Sequence, residues 1–135
     1  MVIEKVMRFQ GKNKDLDLLS QQIVEQMRID GYRTQSANSS IGIIIQAKKA
    51  GVLRDIITAD RAFSILITGE PNDFSIKIGI GMWAQNLAVA AAEAVLLSWL
   101  FLAVDVPEML WTRHVENNLV SKINEVVSRE LKKIY

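Results

Sequence analysis

From Ile78 to Val104 the chain carries a single formal charge, Glu93. A run this apolar approaches the ~20 residues that cross a bilayer, yet it sits late in a chain whose other segments read as an ordinary globular domain. On a helical wheel Leu87, Val89, Val95, Leu96, Leu97, Leu100, Phe101 and Leu102 spread around nearly the whole circumference. A helix that is apolar all round needs cover on every side, and a small sheet with one amphipathic helix supplies only part of it. The segment therefore constrains the fold and points to something beyond it: a second subunit, an apolar ligand or lipid.

The remaining chain alternates in short periods. Val2 to Phe9 places Glu4 and Arg8 on one side and Ile3, Met7 and Phe9 on the other, as a strand does. Asp15 to Asp30 reads as a helix, with Leu16, Leu19, Ile23 and Met27 at helical spacing, acidic residues at its positive end and Gly31 as its stop. Tyr32–Ala37, Ile41–Lys48, Arg61–Thr68 and Phe74–Ile80 are β-prone runs, separated in part by the reversals Asn38-Ser39-Ser40 and Gly69-Glu70-Pro71-Asn72-Asp73. Phe63, Ile65 and Ile67 form one apolar row and Phe74, Ile76, Ile78 and Ile80 another, which predicts an antiparallel meander with one buried and one wet face. The apolar run opens a helix at Met82 or Trp83 that extends to about Val104. A final amphipathic helix runs from about Pro107 to Lys133, with Val120, Ile123, Val127, Leu131 and Ile134 as its stripe. The expected architecture is a single α+β domain over residues 1–135: an antiparallel sheet of four or five strands, with an N-terminal helix and two C-terminal helices packed mainly on one face.

Composition narrows the function classes. No cysteine is present, which removes disulfides and thiolate metal sites, and the net charge of +1 provides no global field toward nucleic acid. The N-terminal residues lack the continuous apolar core of a signal peptide. The expected location is the cytoplasm, at the periphery of a membrane if the apolar run meets lipid. No cofactor and no metal site is expected, and no serine–histidine–acid set, paired catalytic carboxylates or HExxH motif is evident.

A resemblance rests on Ile45-Gln46-Ala47-Lys48, Arg54, Asp60-Arg61-Ala62, Ile67-Thr68-Gly69, the spaced Phe74, Ile76, Ile78, Gly79, Gly81 and Trp83, and Asn86. Over Gly31 to Ala94 this pattern resembles uncharacterised small prokaryotic α+β proteins of unknown function. The resemblance implies a fold and transfers no site. The element order also resembles helix-grip folds, in which a sheet wraps a C-terminal helix and which bind apolar ligands in many cases.

Candidate residues follow from these patterns. Asn86 and Glu93, seven apart, would share one stripe of the apolar helix, either as the polar anchor of a pocket or as its wet edge. Leu97 and Leu100 are the expected contact residues of a homo-oligomer, a dimer before larger assemblies. Trp111 would anchor the last helix on the apolar one. His114, the only histidine, has Arg113, Glu116 and Asn118 nearby but no orienting partner for catalysis, which favours a surface or interface position. Lys48, Lys49, Arg54 and Arg61, with Tyr32 or Phe63 for stacking, could hold nucleic acid, but Asp55 and Asp60 interrupt the patch and nucleic acid is not the expected partner. Gly79 and Gly81 lack the rest of a phosphate loop and fit a tight corner. The leading expectation is a non-catalytic, self-associating interaction module using the 83–104 helix and the C-terminal helix. The alternatives are a carrier of an apolar small molecule or lipid, with a cavity between the long helix and Ile65, Ile67, Ile76 and Ile78, and a membrane-associated protein.

Overall fold

The computed structural model describes residues 4–49, 61–92 and 113–128. Five strands form one antiparallel sheet: β1 (Glu4–Gln10), β2 (Tyr32–Asn38), β3 (Ile43–Lys49), β4 (Arg61–Glu70) and β5 (Asp73–Met82), in the spatial order β1-β5-β4-β3-β2. The helices are α1 (Leu16–Ile29), α2 (Leu87–Ala92) and α3 (Arg113–Ser128). The architecture is thus the expected α+β arrangement.

Local chemistry sets the boundaries. The Asp15 carboxylate caps α1, accepting from the backbone N–H of Asp17 at 3.0 Å and of Leu18 at 3.2 Å. Gly31, at φ 93°, ends the helix in a conformation that an L side chain resists. In the β2–β3 turn the Ser39 hydroxyl donates to the Gly42 carbonyl oxygen at 2.8 Å and accepts from the Gly42 N–H at 3.1 Å. A Cβ at Gly42 would fall 2.1 Å from the Ile67 carbonyl oxygen, so β3 enters the sheet where only glycine fits. The β4–β5 hairpin closes at Glu70 opposite Asp73. Its turn also holds the start of the β1–α1 loop, because Gly11 N–H donates to the Asn72 carbonyl at 2.8 Å and Lys14 N–H to the Pro71 carbonyl at 3.0 Å.

The main core lies on one face of the sheet. Leu19, Ile23 and Met27 of α1 and Leu119, Ile123, Val126 and Val127 of α3 pack on Ile45, Ala47, Ile65, Ile67, Phe74, Ile76 and Ile78. Each of these side chains other than Ala47 is worth roughly 1.5–3 kcal/mol of burial relative to exposure. Phe9 stacks on its register partner Phe74 with ring centroids 5.2 Å apart. Lys122 of α3 pairs with Asp30 at the end of α1 across 2.6 Å, tying the two helices together.

The second face differs from a wet surface. Ile44 of β3 and Leu66 of β4, whose side chains point away from the main core, pack with Leu87, Ala90 and Ala91 of α2. Two helices therefore cover one face and α2 the other. The expectation of one wet face is thereby corrected: alternation within a strand separates its two faces without saying how many layers cover them.

The start of α2 also differs from the sequence reading. Strand β5 continues to Met82, paired with Arg61, and the helix begins only at Leu87. Residues 83–86 instead carry the chain from the sheet onto the α2 face. Among the described residues no helix is long and apolar enough to cross a membrane. Residues 93–104, which complete the apolar run, lie outside the described residues.

Candidate functional site

The α2 face of the sheet carries an unusual polar row. Antiparallel register places Gln35, Gln46, Ser64 and Gly79 in line across β2, β3, β4 and β5. Gln46 and Ser64 are both fully buried. A buried amide stays there only when its hydrogen bonds are made, and Gln46 makes four. Its Nε2 donates to Ser64 Oγ at 3.1 Å and to the Met82 carbonyl oxygen at 2.7 Å. Its Oε1 accepts from Gln35 Nε2 at 2.9 Å and from the Ala84 backbone N–H at 2.9 Å. Gln35 Nε2 also reaches the Ala84 carbonyl oxygen at 2.9 Å.

These bonds hold the backbone on either side of Trp83. The next register pair along β2 and β3 is Arg33 opposite Lys48, on the same face as Gln35 and Gln46. The Arg33 guanidinium carbon lies 5.6 Å from the Trp83 ring centroid and the Lys48 ammonium 5.7 Å from it. Both are within cation–π range. Like charges directly across a strand pair oppose one another, and no carboxylate among the described residues pairs with either. Two cations elsewhere do meet carboxylates: Arg8 forks onto Asp73, and Lys122 meets Asp30.

Of Asn86, Glu93, Leu97, Leu100, Trp111 and His114, singled out from sequence, only Asn86 is described with its side chain. Asn86 is exposed and lies before α2 rather than within it, where its Oδ1 accepts from the Val89 N–H at 3.3 Å. It acts as a helix cap, one residue before the first turn of α2. Glu93, Leu97, Leu100 and Trp111 lie outside the described residues. His114 falls in the first turn of α3, and its side chain is outside the description.

The basic patch is rearranged. Lys48 projects on the α2 face, whereas Tyr32 and Phe63 pack at the border of the main core on the opposite face, edge to ring with centroids 6.0 Å apart. They do not supply stacking for Lys48; Trp83 does. Arg54 lies outside the described residues. Part of the lining expected of a carrier cavity is described. Ile65, Ile67, Ile76 and Ile78 are at most 1% exposed under α1 and α3, and the described turns of α2 lie across the sheet from them. Among the described residues no group of three acidic or histidine side chains is placed to hold a metal ion.

The Arg33–Lys48–Trp83 cluster escaped the sequence reading because its members are far apart in the chain. One signal was present. Gln46 interrupts the run Ile43–Ala47, and a lone amide in a strand that apolar marks a buried polar requirement.

No protein-family model matches the chain, no curated protein matches it, and no solved structure matches its fold.

Proposed function

We propose that this protein is a non-catalytic interaction module that self-associates as a dimer through the outward face of α2 and the apolar run that α2 opens. One observation carries the reading. Leu87, Ala90 and Ala91 are already used against the sheet, while Ala88, Val89 and Ala92 face outward without a charge among them, Val89 at 52% exposure. Ala88 and Ala92 lie one turn apart, so a second helix backbone can approach closely. The sequence then continues to Val104 with Glu93 as its only formal charge.

The described part of α3 supports a narrower surface than both C-terminal helices. Its outward positions are Asn117, Asn118, Ser121, Asn124, Glu125 and Ser128, which suit water rather than an apolar partner. The face offered for association is therefore that of α2.

Native mass spectrometry of protein prepared without detergent tests the reading. A dimer is expected for the natural chain, and monomer for Val89→Glu, whose exposed position leaves the fold intact, and for Leu97→Glu. A dimer that persists unchanged in both variants would overturn it. So would a natural chain that is monomeric at micromolar concentration; a small apolar adduct on that monomer would put the carrier in its place.

A further inference from the structure

We propose that Arg33, Lys48 and Trp83 form a binding site for a nucleotide unit, a phosphate ester carried on a planar base, on the α2 face of the sheet. Three features of the cluster point to it. Arg33 and Lys48 are directly opposed in the β2–β3 register, and the described residues provide no carboxylate for either. The repulsion between them becomes attraction when a phosphate sits between a forked guanidinium donor and a compact ammonium.

Both cationic groups also converge on one indole, at 5.6 and 5.7 Å, instead of dispersing into solvent as long surface side chains do. The cluster therefore presents charge and an aromatic surface together, which is the combination that recognises phosphate and base at once.

Finally, the platform is held from beneath. The backbone flanking Trp83 is fixed at the Met82 carbonyl and at the N–H and carbonyl of Ala84 by Gln46 and Gln35. Gln46 is fully buried and Gln35 half-buried, so the segment does not depend on solvent-exposed contacts. Preorganisation of this kind lowers the ordering cost of binding. The proposal is independent of self-association, since Arg33, Lys48 and Trp83 belong to the sheet and its exit segment rather than to the outward face of α2.

The same nucleotide chemistry is offered by a free mononucleotide and by a single-stranded nucleic acid. The test follows the Trp83 indole N–H resonance, assigned with Trp83→Phe, during titration with adenosine 5′-monophosphate, inorganic phosphate and a short thymidine oligonucleotide. The expected result is a saturable shift with the mononucleotide or the oligonucleotide. Arg33→Gln and Lys48→Gln should each weaken that binding by about tenfold, the loss of one charge-assisted contact, while Lys5→Gln leaves it unchanged. Backbone amide spectra check that each variant remains folded. An oligonucleotide binding more tightly than the mononucleotide, with a steep salt dependence, identifies nucleic acid as the source; equal affinity identifies the free nucleotide. No shift with either would overturn the proposal. Inorganic phosphate binding as tightly as both, or an equal loss in Lys5→Gln, would also do so, because the site would then read charge alone.

Discussion

Gln46 Nε2 donates to the Met82 carbonyl oxygen across 2.7 Å, joining the middle of β3 to the last residue of β5 over the intervening strand β4. This bond, with its companion from the Ala84 N–H to Gln46 Oε1, sets the course by which the chain leaves the sheet. The route places α2 on the second face and Trp83 over Arg33 and Lys48. One buried amide thus connects packing, topology and the candidate site.

Replacing Gln46 with leucine keeps the approximate volume and removes all four hydrogen bonds. The Met82 carbonyl and the Ala84 N–H then lose their partner beneath the crossing segment. The expected cost is about 2–4 kcal/mol, read as a lower urea midpoint with an unchanged slope. Gln35→Ala should cost clearly less, since Gln35 is only half-buried and Gln46 keeps its remaining three bonds. Equal stability of Gln46→Leu and the natural chain would show that the network does not hold the segment.

Much of this architecture is legible in the sequence. Alternation and β-prone runs locate all five strands to within a few residues, and Asp15 and Gly31 delimit α1 as their capping chemistry requires. The β5–α2 junction is harder to read, because Ile78-Gly79-Ile80-Gly81-Met82 is apolar enough to belong to either element. Pairing of Ala62 with Gly81 and of Arg61 with Met82 decides for strand, and that partner is remote in sequence. The two-sided burial of β3 and β4 had a local trace in the unbroken triplets Ile43–Ile45 and Ile65–Ile67, since continuous apolar runs mark strands covered on both faces. The candidate site left less: Arg33 and Trp83 meet only because the sheet and the Gln46 network bring them together.

The Arg8–Asp73 fork predicts a specific titration. Arg8 Nε and Nη2 donate to the two carboxylate oxygens at 3.0 and 2.9 Å, and these hydrogen bonds hold Asp73 below its ordinary pKa, outweighing an opposing desolvation, while the guanidinium charge adds a lesser lowering. Its stabilising effect is therefore present above the ordinary carboxylate range and fades as pH falls through the depressed native value. Carboxyl-carbon NMR should place the Asp73 midpoint below that of an unpaired aspartate, and Arg8→Gln should return it upward. An unchanged midpoint in that variant would remove Arg8 as the cause.

Tyr32 predicts the opposite end of the pH scale. Burial, and secondarily the Asp30 carboxylate, raise its phenol pKa above the ordinary value of 10.0. The unfolded tyrosine consequently ionises first. Stability from this group is complete below the ordinary value and declines as pH rises through it toward the raised native pKa, because the unfolded state releases its proton while the native state still holds it. Tyr32→Phe cannot ionise, so it should lose this alkaline decline even where the missing hydroxyl changes stability at neutral pH. The tyrosinate absorbance of the natural chain should contain a component that titrates above the ordinary tyrosine value, and that component should vanish in Tyr32→Phe. If the component lost in Tyr32→Phe titrates at the ordinary value instead, Tyr32 ionises as freely as a solvated phenol, and the packing of its ring against Phe63 imposes no penalty on the anion.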